Sequence, residues 1–353
     1  MKRPYLILLL ALLLIVGLSA CDTPKIVPAA NPLGVRIFQT NDHLRVELNG
    51  RLFTQYFYTN VPRPFCYPVL GPGGVALTRN FPMTNPPGEE HDHPHHRSLW
   101  FAHGPVNGVD FWTERTNTGR IVHRGFVDIS SGVKTGLIKT LNDWVDANGK
   151  VICNSEQTLR FYAPTDNTII MDFEVTLQAT KGEVVFGDSK EGVFAVRVAE
   201  SMRTLSPLKR GEPARAGAGH IVLSTGVRDD GNSAAAAKNA KREAVTWGKR
   251  AAWCDYYGLV GDKTVGIAIL DHPTNPRHPT WWHVRDYGLF AANPFGQHEF
   301  EDLKNPRAGD FKIPAGQFAK FRYRVVLHEG DEKEGRIAAR FEEYAKTRFS
   351  ETK

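Results

Sequence analysis

The sequence predicts an all-β protein, a large antiparallel β-sandwich that ends in one helix. Three features support this fold class. Segments in which apolar and polar residues alternate recur along most of the chain, as in half-buried strands. Turn signals such as Asn-Gly separate neighbouring segments, and one convincing helical repeat occurs, near the C-terminus. With 353 residues, 41% of them hydrophobic, the chain can bury a substantial core.

The first predicted element is a hairpin. Apolar and polar residues alternate over residues 44–48, Asn49-Gly50 follows, and a second apolar run starts at Leu52. Both central residues of a two-residue hairpin turn need a positive φ, which asparagine and glycine tolerate. This pair therefore predicts a tight turn between two strands.

A meander of longer strands is expected next. The segments are closely linked and fall at residues 119–129, 137–145, 151–162 and 168–179. Asn148-Gly149 separates two of them, which favours antiparallel pairing. Further strands are predicted at residues 192–198, 251–260, 264–271 and 317–328.

One helix is predicted, over residues 332–349, where Ile337, Phe341 and Tyr344 recur at helical spacing. Residues 232–244, rich in alanine and basic residues, fit either a short helix or a mobile loop.

The N-terminus has the pattern of a bacterial lipoprotein signal. Lys2 and Arg3 precede an apolar run over residues 5–18, which is short for a transmembrane span, and Leu-Ser-Ala-Cys21 resembles a lipoprotein box. We expect residues 1–20 to be a signal peptide, Cys21 to be lipidated, residues 21–33 to form a tether and residues 34–350 to form a single domain. The protein would then be anchored in the bacterial cell envelope, on the periplasmic side of the inner or outer membrane. The alternative is a plain signal peptide with an incidental cysteine.

Composition and missing motifs exclude several function classes. The formal charge of +6 comes from scattered residues, so a nucleic-acid partner is not expected. The sequence has no dinucleotide-binding glycine motif, no phosphate loop and no serine-hydrolase elbow, so neither a nucleotide nor any other cofactor is assigned. Cys66, Cys153 and Cys254 allow at most one disulfide, so the fold must depend on its core.

The densest group of ionisable residues is a histidine cluster. Five of the thirteen histidines fall within residues 91–103, among them His95 and His96. Imidazoles act as acids, bases or metal ligands, and Pro94 places these side chains on a bend. Adjacent His95 and His96 are expected to point in opposite directions. Metal binding, a solvated or hydrogen-bonding loop, and sugar binding or proton transfer are the alternatives, and no fixed ligand spacing specifies a metal.

Aromatic residues follow the histidines. Trp100 and Trp112 offer flat apolar faces beside polar groups, an arrangement that suits sugar rings. The alternative is that these side chains belong to the core.

A second group of ionisable residues lies between Gly187 and Gly192, at the start of a predicted strand. Asp188, Lys190 and Glu191 could place an acid beside a base there, with Glu191 as a general base. The alternative is a surface turn with a solvated charge pair.

A third group lies in residues 271–288. Three prolines within seven residues predict a shaped loop, and this segment carries His283 and Arg285 and leads to Asn293. Arg285 could bind a carboxylate or a sugar diol. The alternative is an arginine–aspartate pair in the core.

These three segments together resemble a secreted bacterial family. The motifs are residues 95–112, 188–192 and 271–296, and the resemblance extends over residues 35–328. The family is catalogued as PmoA, or methane oxygenase PmoA, and as a domain of unknown function. Methane oxidation itself is excluded, because a subunit of the membrane enzyme would need several transmembrane helices.

The resemblance implies carbohydrate chemistry. The PmoA family is similar to galactose-mutarotase-like supersandwiches, and its members accompany sugar oxidoreductases and glycan-degrading enzymes. Mutarotases use a histidine acid and a carboxylate base across one sugar ring, and His96 and Glu191 would be the analogous pair.

The leading hypothesis is an envelope enzyme that acts on a sugar or glycan by general acid–base chemistry, as a hydrolase, lyase or epimerase. The candidate catalytic residues are His95, His96, Glu191, Lys190 and Asp188. The candidate substrate-binding residues are Arg97, His103, Trp112, His283, Arg285 and Asn293. The alternatives are a non-catalytic glycan-binding lipoprotein and a metalloprotein that uses His91, His93, His95 or His96.

Overall fold

Two large antiparallel sheets form the framework of the protein in the computed structural model. The structure describes residues 33–205, 217–231 and 245–349. The predicted all-β class with large antiparallel sheets is confirmed. The predicted signal peptide, Cys21, nearly all of the tether and the alanine-rich residues 232–244 lie outside the described residues, so the predictions for them stay predictions.

The strands of the described chain are numbered in chain order. The first ten are β1 (Val35–Gln39), β2 (His43–Leu48), β3 (Arg51–Phe57), β4 (Phe65–Cys66), β5 (Leu99–His103), β6 (Arg120–Ser130), β7 (Thr135–Val145), β8 (Val151–Tyr162), β9 (Ile169–Gln178) and β10 (Val184–Phe186). The others are β11 (Gly192–Arg197), β12 (His220–Leu223), β13 (Arg228–Asp229), β14 (Trp253–Val260), β15 (Lys263–Asp271), β16 (Trp281–Val284), β17 (Leu289–Asn293), β18 (Phe311–Ile313) and β19 (Phe318–Glu329).

The strand order shows how the chain builds the two sheets. The first sheet has eight strands in the order β1-β2-β3-β4-β5-β11-β17-β16, and the second has nine in the order β13-β12-β14-β15-β19-β9-β8-β7-β6. Strands β10 and β18 form a separate pair. Consecutive strands β6 to β9 pair as neighbours, which confirms the predicted meander.

The predicted hairpin between β2 and β3 is also confirmed. Asn49 and Gly50 adopt φ values of 49° and 76°, as a two-residue turn requires. Alternate residues of β2 are buried, and Arg45 and Glu47 between them form an ion pair. The period of two places one face of the strand on the core.

The core lies between the two sheets and is rich in aromatic rings. Phe194 of β11 stacks on Phe173 of β9 at 4.5 Å and on Tyr323 of β19 at 5.1 Å. Phe101 of β5 lies 5.7 Å from Phe173. Aromatic pairs of this kind stabilise a fold by about 0.5–1.5 kcal/mol beyond their buried area. All six residues of β11 are buried, so this strand anchors the first sheet.

Two short α-helices complete the described chain, α1 (Gln297–Phe300) and α2 (Ile337–Ala345). Neither is long and apolar enough to cross a membrane. Helix α2 is shorter than predicted, because Arg336 takes a left-handed φ of 53° and Glu332 is held in an ion pair by Arg228. The chain therefore turns over residues 331–336 and becomes helical only from Ile337.

The proline-rich segment is also more regular than predicted. Residues 272–280 form a loop, residues 281–284 form β16, paired with β17, and residues 285–288 form the turn between these two strands. Three free cysteines, Cys66, Cys153 and Cys254, are buried. Burial raises the pKa of Cys66 and of Cys153 to about 12. The described part of the fold therefore rests on packing rather than on disulfides.

Candidate active site

The site is built on the carboxylate of Asp92, which lies between two buried arginines. Arg197 Nη2 donates to both carboxylate oxygens, at 2.8 Å and 3.0 Å, and Arg79 Nη1 donates to one of them. Both arginine side chains are fully buried, whereas the Asp92 side chain is 28% exposed. Burial alone would raise the pKa of Asp92, but the hydrogen bond with His93 and the charges of Arg197 and Arg79 outweigh it and lower the pKa. Asp92 is therefore a fixed negative charge.

His93 is held by this carboxylate and faces solvent. Its Nδ1 lies 2.6 Å from Asp92 Oδ2, and its side chain is 41% exposed. This contact assigns the ring proton to Nδ1, and Nε2 has no hydrogen-bond partner among the described residues. The backbone of His93 is left-handed, with φ 42°, and its carbonyl accepts from Arg79 Nη2 and from the His96 amide. The accessible Nε2 of His93 is therefore held in a fixed position by the contacts of the ring and the backbone.

Tyr287 joins His93 to the turn between β16 and β17. The two rings stack at 5.1 Å with an interplanar angle of 6°. The guanidinium of Arg197 lies 4.8 Å from the centre of the Tyr287 ring, and that of Arg285 lies 5.6 Å from it. Burial raises the pKa of Tyr287, although Arg285 and Arg197 oppose the shift.

Glu191, just before β11, supplies a carboxyl group to the same region. Its amide donates to Ser189 Oγ, and its carbonyl accepts from Gly104 at 2.6 Å. A side chain at position 104 would bring its Cβ to 3.0 Å from the Cβ of Glu191, so glycine allows this approach.

The pKa of Glu191 is shifted by burial and by the charged groups around this side chain. Burial raises this pKa most; the charges of Lys190, His93 and Arg285 oppose the shift, and Glu299 adds to it, so that the net pKa is raised. These opposing charges come from the histidine segment, the β16–β17 turn and the start of β11. The structure therefore brings the three segments together. We call His93, Asp92, Tyr287, Arg285, Glu191 and Lys190 the His93–Glu191 site.

Lys190 is tied to α1. Its Nζ donates to Glu299 Oε1 at 3.0 Å and lies 3.9 Å from Glu191 Oε1. Its amide donates to the other oxygen of Glu299 at 2.7 Å. Lys190 thus holds the turn in place and adds a positive charge beside Glu191.

Asn293 and Asp188 support the turn from behind. The fully buried amide of Asn293 donates to the carbonyls of Ser189 and Lys190, at 3.0 Å and 2.8 Å. The buried carboxylate of Asp188 accepts from the amides of His298 and Gly309. These two predicted site residues shape the backbone beneath Glu191.

His283 and Trp247 lie on the Arg285 side. His283 in β16 is buried, and burial, followed by the charge of Arg285, sets its pKa well below the ordinary histidine value. Trp247 is half-buried, 5.8 Å from the Arg285 guanidinium, and packs edge-on against Phe300. The half-buried indole places a flat aromatic side chain beside Arg285.

The two histidines predicted to be catalytic lie behind His93. His96 is fully buried, stacks on Trp100 at 5.4 Å and contacts Arg197 through Nδ1. Burial, followed by the Arg197 charge, sets its pKa well below the ordinary value. His95 is half-buried, and burial together with Arg63 lowers its pKa to about 3. Their rings are 4.5 Å apart, so the prediction that they point in opposite directions is wrong, because the chain bends at Pro94.

Three other predicted site residues, His103, Trp112 and Arg97, are held by contacts within the fold. His103 is fully buried beside the Gly187 carbonyl at 2.7 Å, and burial lowers its pKa to about 4. Trp112 is fully buried in the core. Arg97 forms a two-bond ion pair with Glu114.

Asp92, Tyr287 and Glu299 were not among the predicted site residues, and His93 was predicted only as one member of the histidine cluster and as a possible metal ligand. No local pattern indicates the backbone conformation of His93, because a residue before proline favours an extended backbone, whereas His93 has a φ of 42°. In the parts of the chain that the structure describes, no group of three or more His, Cys, Asp or Glu side chains is arranged to hold a metal ion.

Comparison with known proteins gives one family. The model of DUF6807, a family of unknown function, matches residues 43–342. The name PmoA, expected from the motifs, is not confirmed by this match. No curated protein matches.

Several solved structures are distantly similar. A GalM/aldose epimerase homologue from C. elegans is 7% identical, with a TM-score of 0.33, and galactose 1-epimerase from Lactobacillus acidophilus is 6% identical, with a TM-score of 0.38. Each match covers 84% of this chain and 98% of the other. A glycoside hydrolase family 97 enzyme from Pseudoalteromonas sp. strain K8 is 11% identical over 84% of this chain and 34% of its own, with a TM-score of 0.32. Likenesses this distant assign no activity.

Proposed function

The chain belongs to DUF6807, a family of unknown function, and we propose that it acts on a sugar or glycan by general acid–base chemistry at the His93–Glu191 site. One observation carries the proposal. An exposed imidazole, fixed at Nδ1 by an ionised carboxylate, lies in the same charged region as a carboxyl group whose pKa is raised. Pairs of titratable groups in contrasting environments are typical of acid–base sites.

The two groups have complementary roles. In its protonated form, with a second proton on Nε2, His93 donates that proton to a leaving or ring oxygen, while Asp92 stabilises the positive ring. Glu191 accepts a proton from a hydroxyl or carbon of the substrate. Its raised pKa brings it closer to neutral pH, where a general base is most effective. One proton is taken and one is given, so the reaction needs no further reactant beyond substrate or water.

The surroundings suit a hydroxyl-rich ligand. Trp247 is a half-buried aromatic side chain, and its ring face can accept the C–H side of a sugar. Arg285 and Lys190 supply N–H donors for hydroxyl or carboxylate groups. We therefore infer a sugar or short glycan as the substrate class.

The test is turnover on a panel of reducing sugars and glycans, followed by polarimetry for anomer exchange and by chromatography for bond cleavage. We expect His93→Gln and Glu191→Gln each to lower activity by about 10²–10⁴-fold, the usual effect of losing a general acid or base. His91→Gln is the matched control, since His91 is also exposed but stacks on Phe81 rather than on Tyr287. Background turnover by the wild type on the whole panel, or full activity in His93→Gln, would overturn the proposal.

We also propose that Cys21 carries a lipid anchor, on the evidence of the N-terminal sequence pattern alone. Growth of the expressing bacterium with an alkynyl palmitate should label the wild-type chain in the membrane fraction. Cys21→Ser should lose the label. A label that persists in this variant, or one that never appears, argues against lipidation.

A further inference from the structure

A cavity lies between the β12–β13 hairpin and the start of helix α2. Its volume is about 470 Å³, within the usual range for small-molecule sites. None of the residues that line it belongs to the His93–Glu191 site. The cavity is therefore separate from the His93–Glu191 site.

Apolar side chains form the inner wall. Val222 of β12 and Trp253 of β14 line the cavity and belong to the smaller hydrophobic cluster beneath α2. Trp253 is 8% exposed. Ala338 and Ala339, on the first turn of α2, form the opposite wall and are exposed. Small side chains on the helix leave the space open, so an apolar ligand would find indole on one side and methyl groups on the other.

Cations surround the cavity. Arg228, Lys333 and Arg336 line it, against a single carboxylate, that of Glu332. Glu332 is already paired with Arg228. Lys333 and Arg336 are exposed, and neither side chain forms a salt bridge within residues 33–205, 217–231 and 245–349. The unneutralised charge at the rim is therefore positive.

We propose that this cavity binds a small anionic amphiphile, with its alkyl chain against Trp253 and the alanines and its anionic group beside Lys333 and Arg336. Both the alkyl chain and the anionic group are inferred from the side chains that line the cavity. The apolar surface selects the chain, and the excess of cations selects the sign of the head group.

Octanoate is the probe, and calorimetric titration of the full chain is the measurement. We expect octanoate to bind at least about tenfold more tightly than octyltrimethylammonium, which has a chain of the same length and the opposite charge. Arg336→Gln should weaken octanoate binding about fivefold and strengthen binding of the cationic probe, because one repelling charge is removed. Its effect should shrink at high salt, as expected for an exposed charge.

Ala338→Trp should abolish binding by filling the cavity. Glu342→Trp is the matched control, because Glu342 is also exposed on α2 but does not line the cavity, and it should bind octanoate like the wild type. No heat of binding for octanoate, equal affinity for the two probes, or unchanged binding in Ala338→Trp would overturn the proposal. If Ala338→Trp fails to fold, Arg336→Gln decides: unchanged octanoate affinity in that variant overturns the proposal.

Discussion

Replacing Asp92 by asparagine should destabilise the fold and disable the site together. The substitution keeps the shape of the side chain but removes the negative charge between Arg79 and Arg197. The two guanidinium groups are fully buried, so neither can turn to water for a substitute partner. The hydrogen bond that fixes Nδ1 of His93 is weakened at the same time.

The size of the stability loss follows from burial. Breaking a fully buried ion pair costs about 3–5 kcal/mol. The carboxylate keeps 28% of its side chain exposed, and solvent screening reduces its share of the interaction. We therefore expect Asp92→Asn to lower the free energy of unfolding by about 2–4 kcal/mol, below the fully buried limit.

Urea unfolding of the full chain, combined in a double-mutant cycle with Arg197→Met, measures this loss. Removing both partners should cost at least about 1 kcal/mol less than the sum of the single losses, because contacting residues are not additive. A loss below about 1 kcal/mol for Asp92→Asn, or strict additivity in the cycle, would refute the role of Asp92 as the shared counter-charge.

Three other outcomes are expected. The acid limb of the activity–pH profile should lie above the ordinary glutamate pKa, because burial raises the pKa of Glu191, and Glu191→Gln should remove this limb. Gly266→Ala should lower the free energy of unfolding by about 1–3 kcal/mol, since the new Cβ would lie 2.3 Å from His328 Nε2. Burial alone would lower the pKa of His328, but Asp255 outweighs it and raises the pKa. The stabilisation from this pair should be complete below the unfolded-state pKa of about 6.5 and disappear as pH rises through the higher folded-state value.

Each of these outcomes has a control. An unchanged acid limb in Glu191→Gln would contradict a role for this carboxyl as base. Gly125→Ala is the matched control for Gly266→Ala, because a Cβ at position 125 meets no atom within 4 Å, and its effect should stay within about 0.5 kcal/mol. His328→Gln should flatten the dependence of stability on pH in that range, and an unaltered slope would rule out the ion pair as its source.

Local pattern predicted the strands well, because side-chain alternation and turn chemistry act over a few residues. Asn49-Gly50 marks its hairpin, and β8 has the predicted ends, Val151 and Tyr162. The start of the C-terminal helix could not be predicted in this way. Arg228, more than a hundred residues earlier, pairs with Glu332 and holds the preceding turn.

The site was predicted as three separate segments, and the structure brings them together around Glu191. Which of the clustered histidines face solvent could not be predicted from the sequence. Four imidazoles within six residues are chemically alike, and the left-handed backbone at His93 puts that ring outside and buries His96. The buried side chains of Arg79 and Arg197 hold Asp92 beside His93, so His93 is the histidine that this carboxylate fixes.

The reactivity of the three buried thiols can report when the folded structure opens. Cys66 lies in the first sheet, and Cys153 and Cys254 lie in different strands of the second. A maleimide cannot reach a sulfur inside the closed sandwich, so each alkylation event records a moment at which that strand was exposed. Peptide mapping of the alkylated cysteines over time would reveal whether the sheets separate in one concerted event or peel apart strand by strand.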